Sequence, residues 1–122
     1  MKSKISDLNY YDSHHGIRWT NGCQTIERVF LNPVKAVAFQ DGSGLVVVEP
    51  ASDDAPNNAI IMNCDGSVRA RIKNPEGNDG AICFGDAYYV QEELTLIICF
   101  LSWQMACVIN ENGDVVRTYE TR

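Results

Sequence analysis

Short apolar runs rich in Val, Ile, Leu and Phe fill this chain, and polar turns separate them. No ten-residue window joins a good N-cap to a 3.6-residue apolar period, whereas β-branched and aromatic residues occupy most apolar positions, so strands are predicted throughout. Three Asx-Gly pairs punctuate the pattern: Asn21 and Gly22, Asp65 and Gly66, and Asn112 and Gly113. Each pair suits the positive φ values of a two-residue type I′ hairpin. Residues 6–11 leave a short helical turn as the alternative to a strand.

The pairs are 44 and 47 residues apart, a spacing that points to an internal repeat. An apolar run at 59–64 precedes the second pair and an alternating run at 67–72 follows it. Residues 105–111 and 114–119 stand in the same relation to the third. Upstream, residues 36–39 followed by Asp41 parallel residues 81–84 followed by Asp86, and each leads to a further apolar run, at 45–49 and 94–100. Four strands per unit result, with unit one at residues 35–73 and unit two at residues 80–120. Residues 16–31 supply only the last hairpin of such a unit. Asn32-Pro33 and Asn74-Pro75 follow at corresponding places, and each Pro breaks the ladder between units.

This arrangement resembles the four-stranded blade of a β-propeller of the generic kind, although the Trp-Asp and Gly-His pairs of WD repeats are absent. Closed propellers need at least ~4 blades, so two and a half units leave the ring open. The expected fold is all-β, built of antiparallel four-stranded blade-like units as an open half-propeller or two packed sheets. About ten strands are predicted. Their core should hold Ile26, Val37, Phe39, Val46, Val48, Ile60, Met62, Ile82, Phe84, Leu96, Ile98, Cys107 and Ile109.

At 122 residues, 45% hydrophobic and 21% charged, the chain fits one soluble domain. No apolar run approaches the ~20 residues of a spanning helix. The start, Met1 to Lys4, runs into polar residues and not into the apolar stretch of a secretory signal. Five Cys at 23, 64, 83, 99 and 107 form an odd set within apolar segments, which points to free thiols in a reducing cytoplasm. A net charge of -6 argues against nucleic acid and anionic membranes as partners.

Catalytic and metal chemistry find no support. His14 and His15 are adjacent and point to opposite sides of an extended chain, no Cys-x-x-Cys occurs, and the phosphate-binding and nucleophile-elbow motifs are missing. Asp41-Gly42-Ser43-Gly44 reads as a hairpin loop. No catalytic residue, metal or cofactor is therefore assigned.

The carboxylates say more. Residues 1–35 carry a net +2 and residues 36–122 a net -8. Asp41, Asp53, Asp54, Asp79, Asp86, Glu92 and Glu93 form the expected acidic partner-binding set, with Tyr88, Tyr89 and Trp103 as aromatic anchors. Loops that alternate along the chain share an end of their sheets, so Asp41 and Asp86 are expected to be neighbours. Small size, negative charge and missing catalytic apparatus are similar in type to the immunity proteins of contact-dependent growth inhibition and other polymorphic toxin systems. That likeness implies a cytoplasmic inhibitor of a cationic toxin domain, in particular a nuclease, whose cleft is basic because it binds phosphate. The alternative is a non-catalytic propeller-like module that self-associates or completes a larger propeller. Arg69, Arg71, Lys73 and Arg117 read as charges guarding edge strands, and so favour a monomer.

Overall fold

The computed structural model describes residues 4–121, which form eleven strands and no helix. Met1, Lys2 and Ser3, part of the segment read above for a leader, lie outside the described residues, as does Arg122. An N-terminal sheet holds β1 (Ile5–Tyr11), β2 (Gly16–Asn21) and β3 (Gln24–Val29) in that order. The central sheet runs β4 (Lys35–Ala38), β5 (Gly44–Val48), β6 (Ala59–Asn63) and β7 (Val68–Ile72). The C-terminal sheet runs β8 (Cys83–Val90), β9 (Glu93–Cys99), β10 (Gln104–Ile109) and β11 (Val115–Glu120). All pairings are antiparallel, and none of the sheets is closed. The all-β expectation holds, and the sheets are compatible with blade-like units.

Residues 6–11 belong to a strand and not to a helical turn, so the first sheet has three strands where a hairpin was expected. A register shift between Ser6 and Asn9, with Asp7 at φ 56, lets both Ile5 and Leu8 pack inward. A helical turn would separate them from that surface.

Strand alternation builds the core on both faces of the central sheet. Val46 and Val48 of β5, with Ala59 and Ile61 of β6, pack against Phe84, Leu94, Leu96, Ile98, Cys107 and Ile109. Leu45, Val47, Ile60 and Met62 point the other way, onto Ile17 and Trp19 of β2. Every residue of β5 is therefore buried. Trp19 is wholly enclosed, and its indole N–H donates to the Cys64 carbonyl at 2.7 Å, tying the first two sheets together. Buried Asn58 joins the central and C-terminal sheets. Its amide oxygen accepts the Phe84 N–H at 2.8 Å while its Nδ2 donates to the Phe84 carbonyl at 2.7 Å, as a neighbouring strand would.

Three core assignments change. Ile82 is 50% exposed because it lies just before β8, where the connector leaves the sheet. Ile26 and Val37 are half-buried, each packed against one of the two clusters. Ile17, Trp19, Leu45 and Val47 are core residues that the expected set omitted.

The hairpins also differ from expectation. Gly66 N–H donates to the Asn63 carbonyl and Asn63 N–H to the Ser67 carbonyl; Gly113, Asn110 and Asp114 repeat both bonds. Only the glycines take positive φ, at 88° and 86°. Each turn is therefore a longer loop closed by a left-handed glycine, and not a two-residue type I′ turn. The strands behind them match as well: a register shift separates Ile61 from Met62, and another separates Val108 from Ile109, 47 residues on. Each turn packs on the sheet before it. A methyl group on Gly66 would strike Arg28 and Ile26, and one on Gly113 would meet Ile61 and Ile72.

Candidate partner-binding site

Antiparallel strands place successive loops at alternate ends, and this divides the acidic residues. The β4–β5 loop, with Asp41, lies at one end beside the β8–β9 and β10–β11 turns. Together they border a cleft of about 350 Å³ lined by Asp41, Tyr89, Glu92, Glu93, Glu111 and Val116, among others. Asp41 shapes its own loop by accepting the Ser43 N–H at 2.9 Å. The Tyr89 hydroxyl accepts the Gln40 N–H at 2.9 Å, which pins β8 beside the end of β4. Burial pushes the Tyr89 phenol above its ordinary value, the Gln40 N–H pulls it back, and the carboxylates of Asp41 and Glu111 push it further up.

Glu92 occupies the tight turn between β8 and β9, where Val90 pairs with Glu93. Gln91 and Glu92 both have positive φ, 48° and 70°, so the type I′ pattern expected at the Asx-Gly pairs is built here from residues with side chains. Glu93 begins β9 and receives both terminal nitrogens of Arg117, at 2.6 and 2.5 Å. Those hydrogen bonds hold the Glu93 carboxyl below its ordinary value. The pair reaches from β9 to β11 on the outer face of the C-terminal sheet, where Val108 of β10 lies between Thr95 and Arg117.

The remaining expected residues lie elsewhere. Asp53 and Asp54 sit in the β5–β6 loop at the opposite end, where Asp54 pairs with Arg71 at 3.4 Å. Asp79 is exposed in the connector before β8. Asp86 is not a loop residue and is not beside Asp41: β8 continues through it to Val90, past a register shift between Phe84 and Asp86. Its carboxylate lies 3.8 Å from the Lys35 ammonium at the start of β4. Tyr88 is a partly exposed residue of β8. Trp103 stacks on Phe100, ring centroids 4.0 Å apart, in the β9–β10 turn at the far end from the cleft.

The cleft thus gathers Asp41, Tyr89, Glu92 and Glu93 from the expected set and adds Glu111. Loop alternation applied to Asn112 and Gly113 would have found Glu111, because that turn shares an end with Asp41. The edge charges also do more than repel. Arg69 donates to Asn63 Oδ1, the Ser43 carbonyl and the Glu111 carbonyl, which anchors the wall of the cleft, whereas Lys73 lies beyond the end of β7. His14 stacks on Tyr10 at 4.1 Å, and the carbonyls of His14 and His15 accept the N–H groups of Val34 and Phe30. Among the described residues no group of three or more His, Cys, Asp or Glu side chains is placed to hold a metal ion, and no helix is long and apolar enough to cross a membrane.

No protein-family profile, curated protein or solved structure matches the chain.

Proposed function

We propose that this chain is a non-catalytic inhibitor that binds a cationic toxin domain, in the manner of bacterial immunity proteins, through the acidic cleft. The observation that carries this reading is the convergence of Asp41, Glu92, Glu93 and Glu111 from three loops around one opening beside half-buried Tyr89. Carboxylates fixed on sheet ends attract a Lys or Arg side chain of a nucleic-acid-binding surface, and partial desolvation strengthens that attraction. Glu93 is already shared with Arg117, so a partner guanidinium would compete for it or pair with the other three acids. The reading retains the propeller-blade likeness as a scaffold and places the action in the cytoplasm.

Ring closure by self-association has less support. The outward face of the N-terminal sheet carries exposed Arg18, Thr25 and Glu27 beside exposed Val29, a mixed face poorly suited to stacking on another apolar sheet. The test is co-purification from the native host, followed by binding measurements on the captured domain. Asp41→Lys, Glu92→Lys and Glu111→Lys are compared with Asp53→Lys at the other end. A tenfold or greater loss, about 1.4 kcal/mol, confined to the cleft variants supports the reading. Equal affinity across all four variants rejects it.

A further inference from the structure

Cys83 and Cys99 stand directly opposite each other on β8 and β9. Both are free and half-buried. The other cysteines are differently placed. Cys64 donates its S–H to the Gly42 carbonyl, Cys107 is wholly buried, and Cys23 is exposed in the β2–β3 turn. The Cys99 sulfur lies over Gly85, where a side-chain carbon would fall only 2.5 Å from it. Glycine at this position therefore leaves the sulfur the space it occupies beside β8.

We propose that Cys83 and Cys99 are a redox site, a dithiol that a small-molecule disulfide closes to a cross-strand disulfide. Directly opposed residues of antiparallel strands have Cα atoms ~4.5 to 5.5 Å apart, inside the ~4.4 to 6.8 Å range of disulfides. Closure thus requires side-chain rotation and not strand movement. Burial, the neighbouring Cys83 and the Asp86 carboxylate all hold the Cys99 thiol above its ordinary value. One thiol of the pair, as thiolate, attacks one sulfur of the small disulfide, breaks its S–S bond and releases one thiolate. The other thiol then attacks the protein sulfur of the mixed disulfide, and the second small thiol leaves. The protein loses two electrons and two protons, and the small disulfide becomes two thiols. This site is independent of the acidic cleft and of the function proposed for it.

The test uses the full chain with Cys23→Ser, which removes the lone exposed thiol, incubated natively with oxidised glutathione. The expected product has lost two hydrogens by intact mass, carries no glutathione, and shows two titratable thiols after unfolding in place of four. A chymotryptic map should find the peptides of Cys83 and Cys99 joined. Cys83→Ser in the same background should abolish the two-hydrogen loss, and the map of the single variant locates the bond whether or not the double variant folds. Stable glutathione adducts on either cysteine without closure, or four thiols remaining under conditions that oxidise dithiothreitol, would overturn the proposal.

Discussion

The Tyr10 hydroxyl meets the backbone of Ala36 twice, accepting its N–H at 2.8 Å and donating toward its carbonyl oxygen at 3.3 Å. Ala36 lies on β4, the edge strand of the central sheet, so Tyr10 occupies both polar groups that another strand would use. Tyr89 does the same for the Gln40 N–H just beyond the strand. Phenols from the two flanking sheets thus occupy outward groups at Ala36 and Gln40, at either side of Ala38.

Tyr10→Phe removes the hydroxyl without changing the ring that stacks on His14. Stability in urea should fall by about 1 kcal/mol, the net value of an ordinary hydrogen bond partly replaced by water. An unchanged midpoint would show that water serves Ala36 equally well.

Asn58→Ala should cost more, roughly 2 to 5 kcal/mol. It strands the N–H and carbonyl of Phe84 in a buried position and leaves a small void. Chemical denaturation measures the loss, and a change under 1 kcal/mol would mean that the β6–β8 contact rearranges.

The Cys107 thiol sets an alkaline limit. Burial, with a smaller push from the Glu76 carboxylate, raises it from 9.0 to about 12. Between those values the unfolded chain releases this proton and the native one keeps it, so the contribution is fully present below pH 9 and is lost as pH rises toward 12. Relative to Cys107→Val, the native sequence should lose stability by at most about 1.4 kcal/mol per pH unit across that window. Parallel stability curves for the two proteins would refute the assignment.

Glu92→Gly should move stability and binding in opposite directions. Glycine accepts φ near 70° without the steric penalty borne by Glu92, which should stabilise the protein by about 0.5 to 1 kcal/mol. The same change removes a cleft carboxylate and, if the proposed function holds, should slow association with the proposed cationic partner. Thermal unfolding and binding kinetics on one sample read both effects.

Strands, their order and the four-stranded units were legible because β-branched alternation and Asx-Gly turns are local signals. Residues 6–11 were not, since the register shift that turns Ile5 and Leu8 inward depends on contact with the central sheet. Asp86 lies within β8 and not in a loop for a related reason. Gly85 and Asp86 resemble a turn, yet Ala87 and Tyr89 continue the inward face, and the ladder absorbs the irregularity as a shift. The cleft was half legible: loop acids were visible as a group, but which end each occupied depended on where β8 stops. Trp19 escaped notice because its role is set by the Cys64 carbonyl, 45 residues away.

The ends of the three-sheet stack are unlike. Arg18, Thr25 and Glu27 finish one end in water, while the other presents Ile97, Ala106 and Val108 beneath the Arg117–Glu93 pair and the ring of Tyr119. Growth of this architecture by duplication consequently has a direction. A fourth unit appended after β11 reaches these already buried apolar residues only once the Arg117–Glu93 pair and the Tyr119 ring move aside, whereas one inserted ahead of β1 would have to replace a charged face.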